Sequence, residues 1–288
     1  MFDNVEAFYR PDNLREAVQL LHSGKGQARL VAGGTDLVTE DDQSVRILID
    51  ITRAGLSYVR RRAGTYAIGA TTTMAELEES EDIKGLAGGV LARAAATCGS
   101  IQIRNMATIG GNMAHGSPAA DLATPLMVLD ASVVLADAKS QRKVTLEEYF
   151  GGGRSQDFAK SLLAEVVIPE PPRGTRFGWS FQKLGRTAVD ISLVNVAAGL
   201  QLDSKGRVKW ARIALGAVAP APFRAAAEKS LVGRVPDRAV LAEVCEQAAR
   251  ETRPITDIRA SAEYRREMSR VLTGRALEDC AAEAGWPL

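Results

Sequence analysis

Apolar positions Leu14, Ala17, Val18, Leu20 and Leu21 recur at three and four spacing, and Gly24-Lys25-Gly26 follows. This pattern predicts one amphipathic helix with a glycine stop. Two short apolar runs come next, "ARLVAGG" ending at Gly34 and "VRILIDI" over 45–51. Both read as buried strands, and strand and helix in so little chain predict a small parallel βαβ layer. "TYAIGATTTMAELEES" reads as a strand that feeds a helix capped by Thr73, with Glu76 three residues on as its capping-box partner. "GLAGGVLARAAATCG" is expected to be a second helix, and over 101–138 glycines, Asn112 and Pro118 interrupt what otherwise reads as strands. Strand-rich sequence continues to "LLAEVVIPEPPRG", where Pro169, Pro171, Pro172 and Arg173-Gly174 mark the best linker. Beyond it, 176–225 predicts three strands, the last two joined as a hairpin at Asp203-Ser204-Lys205-Gly206. The helical periodicity of 237–252 and 261–284 completes a compact α+β module.

Two glycine pairs stand out. Gly33-Gly34 ends a strand, and Gly110-Gly111 precedes Asn112 in "ATIGGN". Glycine at such a turn permits positive φ and lets a ligand approach the backbone, while successive free N–H groups make an anion nest. Each pair also fits a bare structural turn. The familiar fingerprints are absent: "GKG" at 24–26 lacks the spacing and ending of a Walker loop, and no G-x-G-x-x-G opens a helix. A Rossmann dinucleotide site is therefore not supported.

Charge and composition narrow the classes further. With 36 basic and 35 acidic side chains the chain has no basic excess for nucleic acid, and Arg60-Arg61-Arg62 reads as a solvated strand end. The N-terminus lacks a signal-peptide pattern and no apolar stretch is long enough to span a membrane, so a cytoplasmic protein is expected. Cys98, Cys245 and Cys280 are too few and too scattered for a disulfide framework or an iron–sulfur cluster, and two histidines do not build a metal site.

"LVAGGTDL", followed some seventy residues later by "QIRNMATIGGNMAHGSPAADLATPLMVLDA", closely resembles the FAD-binding subunit of the molybdenum hydroxylases, relatives of xanthine dehydrogenase and aerobic carbon monoxide dehydrogenase. "FQKLGRTAVDISLVNVA", "LGAVAPAPFRA" and "DIRASAEYRREM" extend the resemblance through the C-terminal module. It implies an α+β fold. A two-lobed FAD-binding domain of the vanillyl-alcohol-oxidase (PCMH) type spans 1–174, with lobes of about 1–56 and 57–174. A C-terminal domain of the carbon monoxide dehydrogenase flavoprotein kind, with a three-stranded antiparallel sheet and helices, spans 175–288. On the same resemblance, Leu30, Val31, Ala32, Gly33, Gly34, Thr35, Asp36 and Leu37 wrap the FAD pyrophosphate with main-chain N–H groups. Thr108, Gly110, Gly111 and Asn112 form a second phosphate and flavin-facing loop. Asp121 accepts hydrogen bonds from FAD hydroxyls, Ile101 and Ile103 pack beside the flavin, and Lys183 supplies a nearby cation. His115 is a loop histidine whose backbone lies near the cofactor, and no residue is assigned a catalytic role.

The resemblance implies an oxidoreductase subunit that relays electrons through FAD. The molybdenum cofactor and [2Fe-2S] clusters are expected on partners, a molybdopterin large subunit and an iron–sulfur small subunit, in a heterotrimer that is often doubled. Two other readings stay open on the residues alone. One is a self-sufficient FAD-dependent oxidase or dehydrogenase with its own organic substrate, which would need a base; the other is a nucleotide-binding scaffold without flavin.

Overall fold

A computed structural model describes residues 4–40, 42–62, 64–151, 160–171 and 176–286. Three sheets organise them. The first is parallel, in the order β1 (Ala7–Tyr9), β3 (Ile47–Asp50), β2 (Ala28–Val31). The helix Leu14–Ser23, capped by the Asn13 side chain on the Glu16 N–H, turns Ala17 and Val18 into the same small core as Ala28, Ile49 and Ile51. The expected parallel layer is thus present, with one strand more than periodicity gives, because three residues of β1 are too short for a pattern.

The second sheet is antiparallel, in the order β4 (Val59–Arg62), β5 (Thr65–Gly69), β8 (Leu162–Pro169), β6 (Ser132–Ala136), β7 (Gln141–Thr145). Helix Met74–Glu79 follows β5 with the capping box of Thr73 and Glu76 in place. Two expectations need correction. The backbone turns left-handed at Gly88 and Gly89, so the second helix runs only over Val90–Ala96. Residues 101–128 are not interrupted strands but three short helices, Ile101–Met106, Ile109–His115 and Ala123–Val128; Ser100 and Thr108 cap the first two by accepting the N–H groups of Ile103 and Gly111. Of the expected linker, Pro172 and Arg173-Gly174, with the domain boundary at 174/175, lie outside the described residues, while Pro169 ends β8.

The third sheet is antiparallel, in the order β12 (Phe223–Arg224), β11 (Val208–Gly216), β10 (Val194–Leu202), β9 (Phe177–Leu184). It has the three expected long strands and the hairpin, plus a two-residue fourth strand. Every residue of β10 is buried. Strand side chains alternate between faces, so Val196, Ala198 and Leu200 enter a core under the helices Arg238–Glu251 and Ala262–Glu283, while Ala197 joins the core of the second lobe. Full burial of Val196 or Leu200 stabilises by about 1.5–3 kcal/mol each. One core is therefore shared between the second lobe and the C-terminal sheet, and Thr124 Oγ1 donates to Asn195 Oδ1 at 2.8 Å within it.

Candidate functional site

A cleft of about 640 Å3 opens between the turn after β2 and the helices that begin at Ile101 and Ile109. Its first wall answers why β2 ends on two glycines. A Cβ on Gly33 would lie 1.8 Å from the carbonyl oxygen of Met106, so its bare Cα is demanded by the opposite lobe's backbone. Gly34 has φ +69° and turns the chain. Val38 and Thr39 donate back to the carbonyls of Gly34 and Asp36. Among the described residues, nothing accepts the main-chain N–H groups of Ala32, Gly33, Gly34, Thr35, Asp36 or Leu37, and these residues line the cleft. Such a run is an anion nest.

The second wall works differently from the phosphate loop expected there. Ile109 N–H donates to Thr72 O at 3.0 Å, Gly110 N–H to Ala70 O at 2.9 Å, Gly111 N–H to Thr108 Oγ1 at 3.0 Å and Asn112 N–H to Thr108 O at 2.9 Å. The donors at this helix start are all used inside the protein. Gly110 lies off the cleft, where a Cβ would meet Ala70 at 2.6 Å. Gly111 does line the cleft; a Cβ there would meet only Thr108 Oγ1, at 3.0 Å. Asn112 Oδ1 is buried with no partner, an acceptor waiting for a donor.

The floor is an ion pair that ties the two domains together. Lys183 Nζ donates to Asp121 Oδ2 at 2.7 Å and to Thr97 O at 2.8 Å, and Ser192 Oγ donates to Asp121 Oδ1 at 2.6 Å. The Lys183 and Asp121 side chains are 8% and 7% exposed. Burial pushes the Asp121 carboxyl up from its ordinary range, against the pull of Lys183 and Ser192. Asp121 lines the cleft and keeps lone pairs for a ligand hydroxyl. Lys183 does not line it; the cation stands behind the carboxylate and meets the cleft only through it. Ile103 lines the cleft, whereas Ile101, 66% exposed, is not one of its lining residues.

Sequence reasoning passed over several wall residues. Gly99 lines the cleft next to Cys98, whose place at the flavin the resemblance left open, and Val189, Asp190 and Ile191 reach it from the C-terminal domain. The signal for that last segment is two apolar residues, exposed in the fold, inside an otherwise polar loop. Burial first, and Asp121 second, push the Cys98 thiol up to about 11. His115 contributes more than backbone. Its Nδ1 lies 3.0 Å from Glu40 Oε1 and its Nε2 4.0 Å from Asp36 Oδ1, so the ring bridges the two lobes. Among the described residues no group of three or more His, Cys, Asp or Glu could hold a metal ion, and no helix is long and apolar enough to cross a membrane.

These parts suit an extended dinucleotide: N–H groups for a diphosphate, the orphaned Asn112 Oδ1 and Asp121 as acceptors, and an apolar rim. Two family models match the chain, one described as the FAD binding domain in molybdopterin dehydrogenase over residues 2–171 and one as the CO dehydrogenase flavoprotein C-terminal domain over 179–280. The carbon monoxide dehydrogenase medium chain of Afipia carboxidovorans is 32% identical, with 96% of this chain and 97% of the relative covered. The xanthine dehydrogenase FAD-binding subunit of Escherichia coli O157:H7 is 29% identical with both chains fully covered. Among solved structures, a chain of the carbon monoxide dehydrogenase from Hydrogenophaga pseudoflava superposes with a TM-score of 0.92 at 31% identity, covering 98% of this chain and 99% of that one. A cleft shaped for a dinucleotide, and both domains matched in order, lead to one conclusion: the chain belongs to the FAD-binding medium subunits of the molybdenum hydroxylase family.

Proposed function

We propose that this chain holds FAD non-covalently in the cleft and acts as the electron-transfer subunit of a molybdenum hydroxylase complex. Electrons arrive from iron–sulfur clusters on a small partner subunit, fed by a molybdopterin large subunit, and leave for an external acceptor. When bound, FAD supplies reversible uptake of two electrons, together or singly. The run of unpaired N–H groups from Ala32 to Leu37 carries this reading, because it is built to hold a diphosphate and nothing within the described chain competes for it. Asp121, kept in place by Lys183 and Ser192, accepts from hydroxyls of the extended chain, and Ile103, Val189 and Ile191 keep water from the mouth.

The self-sufficient oxidase reading finds no unpaired buried carboxylate among the described residues that line the cleft. Asp121 is bound to Lys183, and Asp190 to Arg186 at 2.6 Å. The three cysteines are free thiols, two of them buried, which supports clusters on partners. The test compares the isolated FAD-loaded chain with the whole complex. Small organic donors should leave the flavin absorbance of the lone chain unchanged. The native complex, isolated through this chain, should contain molybdenum and iron and bleach its flavin band on turnover. Rapid bleaching of the lone chain by an organic donor overturns the relay.

The tether-free state has its own check. A thiol held up at about 11 stays protonated near neutral pH and is a poor nucleophile toward the flavin. Acid precipitation is therefore expected to release all flavin into the supernatant. Yellow colour in the washed pellet would show a covalent bond.

A further inference from the structure

The segment joining the last two helices carries two large apolar side chains on the outside of the C-terminal domain. Ile258 is 94% exposed and Ile255 70%, and Tyr264 stands half out of the first turn of the helix Ala262–Glu283. Apolar residues exposed singly are ordinary, but a cluster held in one shape marks an interaction site. This cluster is held. Asp257 N–H donates to Ala260 O at 3.1 Å, and the Asp257 carboxylate accepts the N–H groups of Arg259 and Ala260 at 2.8 and 3.2 Å and Arg265 Nη2 at 2.9 Å. These donors, the Arg259 N–H foremost, hold the Asp257 carboxyl down at about 2, so the clamp is ionised at neutral pH. Side chains ordered before association cost less entropy when a partner arrives.

The turn stands beside the mouth of the cleft. Buried Arg265 donates through Nη1 to Leu193 O at 2.7 Å, and Leu193 follows Ser192, whose hydroxyl holds Asp121 on the cleft floor. Arg186 pairs with Asp190 of the cleft wall at 2.6 Å. Its guanidinium is held above the ordinary range chiefly by that bond and further by the charge of Asp257, which places the turn next to this rim. Val189 and Ile191, also exposed, continue the apolar surface from there to the cleft.

The charges around these anchors are one-sided. Asp257 is shared between Arg259 and Arg265, at 3.0 and 2.9 Å. Arg253 and Arg266 are exposed beside them, and Glu263 is the one further acid of residues 252–266. An apolar centre with a basic rim suits a surface that offers an apolar pocket and an acidic rim. A second copy of this chain suits it poorly, because a two-fold contact sets the same arginines against each other. A lipid surface would accept the charge but has no use for a turn of fixed shape.

We propose that the turn Asp257–Ala260, with Ile255, Ile258 and Tyr264 as apolar anchors, is the docking site of the iron–sulfur subunit, which meets it with an acidic rim and so lies beside the mouth of the cofactor cleft. The choice of that subunit rests on the relay reading above, in which it is the partner that hands electrons to the flavin.

The test uses the native complex isolated through this chain. Ile258→Asp is expected to keep FAD at the wild-type ratio and the wild-type unfolding curve, while the iron recovered with the chain falls about tenfold or more. Ile258→Leu should restore it. Association of the wild-type chain with the separated iron–sulfur subunit should slow as salt rises, and do so less steeply in Arg266→Glu. Iron at the wild-type ratio in Ile258→Asp overturns the proposal, as does loss of molybdenum with iron retained, which assigns the turn to the large subunit. A lone chain that sediments as a dimer, and as a monomer in Ile258→Asp, overturns it in favour of a second copy. Flotation of the lone chain with phosphatidylserine vesicles, abolished by the same variant, overturns it in favour of lipid. If no iron accompanies the wild-type chain, the relay reading fails first and takes this choice of partner with it.

Discussion

Gly33→Ala is expected to weaken FAD binding tenfold to hundredfold, whereas Gly111→Ala should cost little, although both glycines belong to conspicuous pairs. The reason is what a single added carbon meets. At Gly33 it would sit 1.8 Å from the Met106 carbonyl oxygen, a rigid main-chain atom on the opposite lobe. One lobe has to retreat by roughly 1 Å, and overpacking of this kind costs about 1–3 kcal/mol. The strain falls on the contact that sets the cleft's width, so it is felt by the ligand. At Gly111 the nearest atom is a threonine hydroxyl at 3.0 Å, which yields by a small rotation. Valine at 111 is a different case, since its branches enter the cleft and should expel FAD with the far-UV circular dichroism unchanged. Fluorescence titration with FAD separates these outcomes. Wild-type affinity in Gly33→Ala would mean that the two lobes do not meet at Met106.

Lys183→Met is expected to destabilise the chain by about 3–5 kcal/mol, the cost of leaving one member of a buried pair without its counter-charge. Asp121 would retain only the Ser192 hydroxyl, in surroundings that already push its carboxyl up. Adding Asp121→Asn should recover much of the loss, because no lone charge then remains inside. Urea unfolding of the three chains measures this. A loss below about 1 kcal/mol for Lys183→Met, the range of exposed ion pairs, would place the lysine in solvent and not against Asp121.

The C-terminal helices, the hairpin at Asp203–Gly206 and the Thr73–Glu76 capping box were legible because each carries a complete local signal: two or more turns of periodicity, a turn sequence, or a paired cap. Helices such as Ile101–Met106 and Ile109–His115 are shorter than two turns, too short for a helical period to show, and the glycines of the second read as interruptions of strands. The first glycine pair was legible as a place of close approach, but not what approaches. Gly33 faces a carbonyl, Gly34 turns the chain, Gly110 packs on Ala70 and Gly111 faces the cleft, and a glycine looks the same in sequence for all four. The Lys183 contact was out of reach for another reason. Its partner lies 62 residues away, and Ser192 lies 71 from the same carboxylate, separations that no local pattern encodes.

Those separations also set an order of events during synthesis. Chains emerge N-terminal end first, and domains fold as they become available. Asp121 leaves the ribosome before Lys183 and Ser192, so a nascent FAD domain carries its carboxylate with neither partner. The floor of the cleft closes only when β9 and the segment after it have docked, and the shared core around Ala197 and Ala214 is sealed in the same step. A truncated chain that ends before β9 thus lacks a finished cofactor site even where its own sheets are complete.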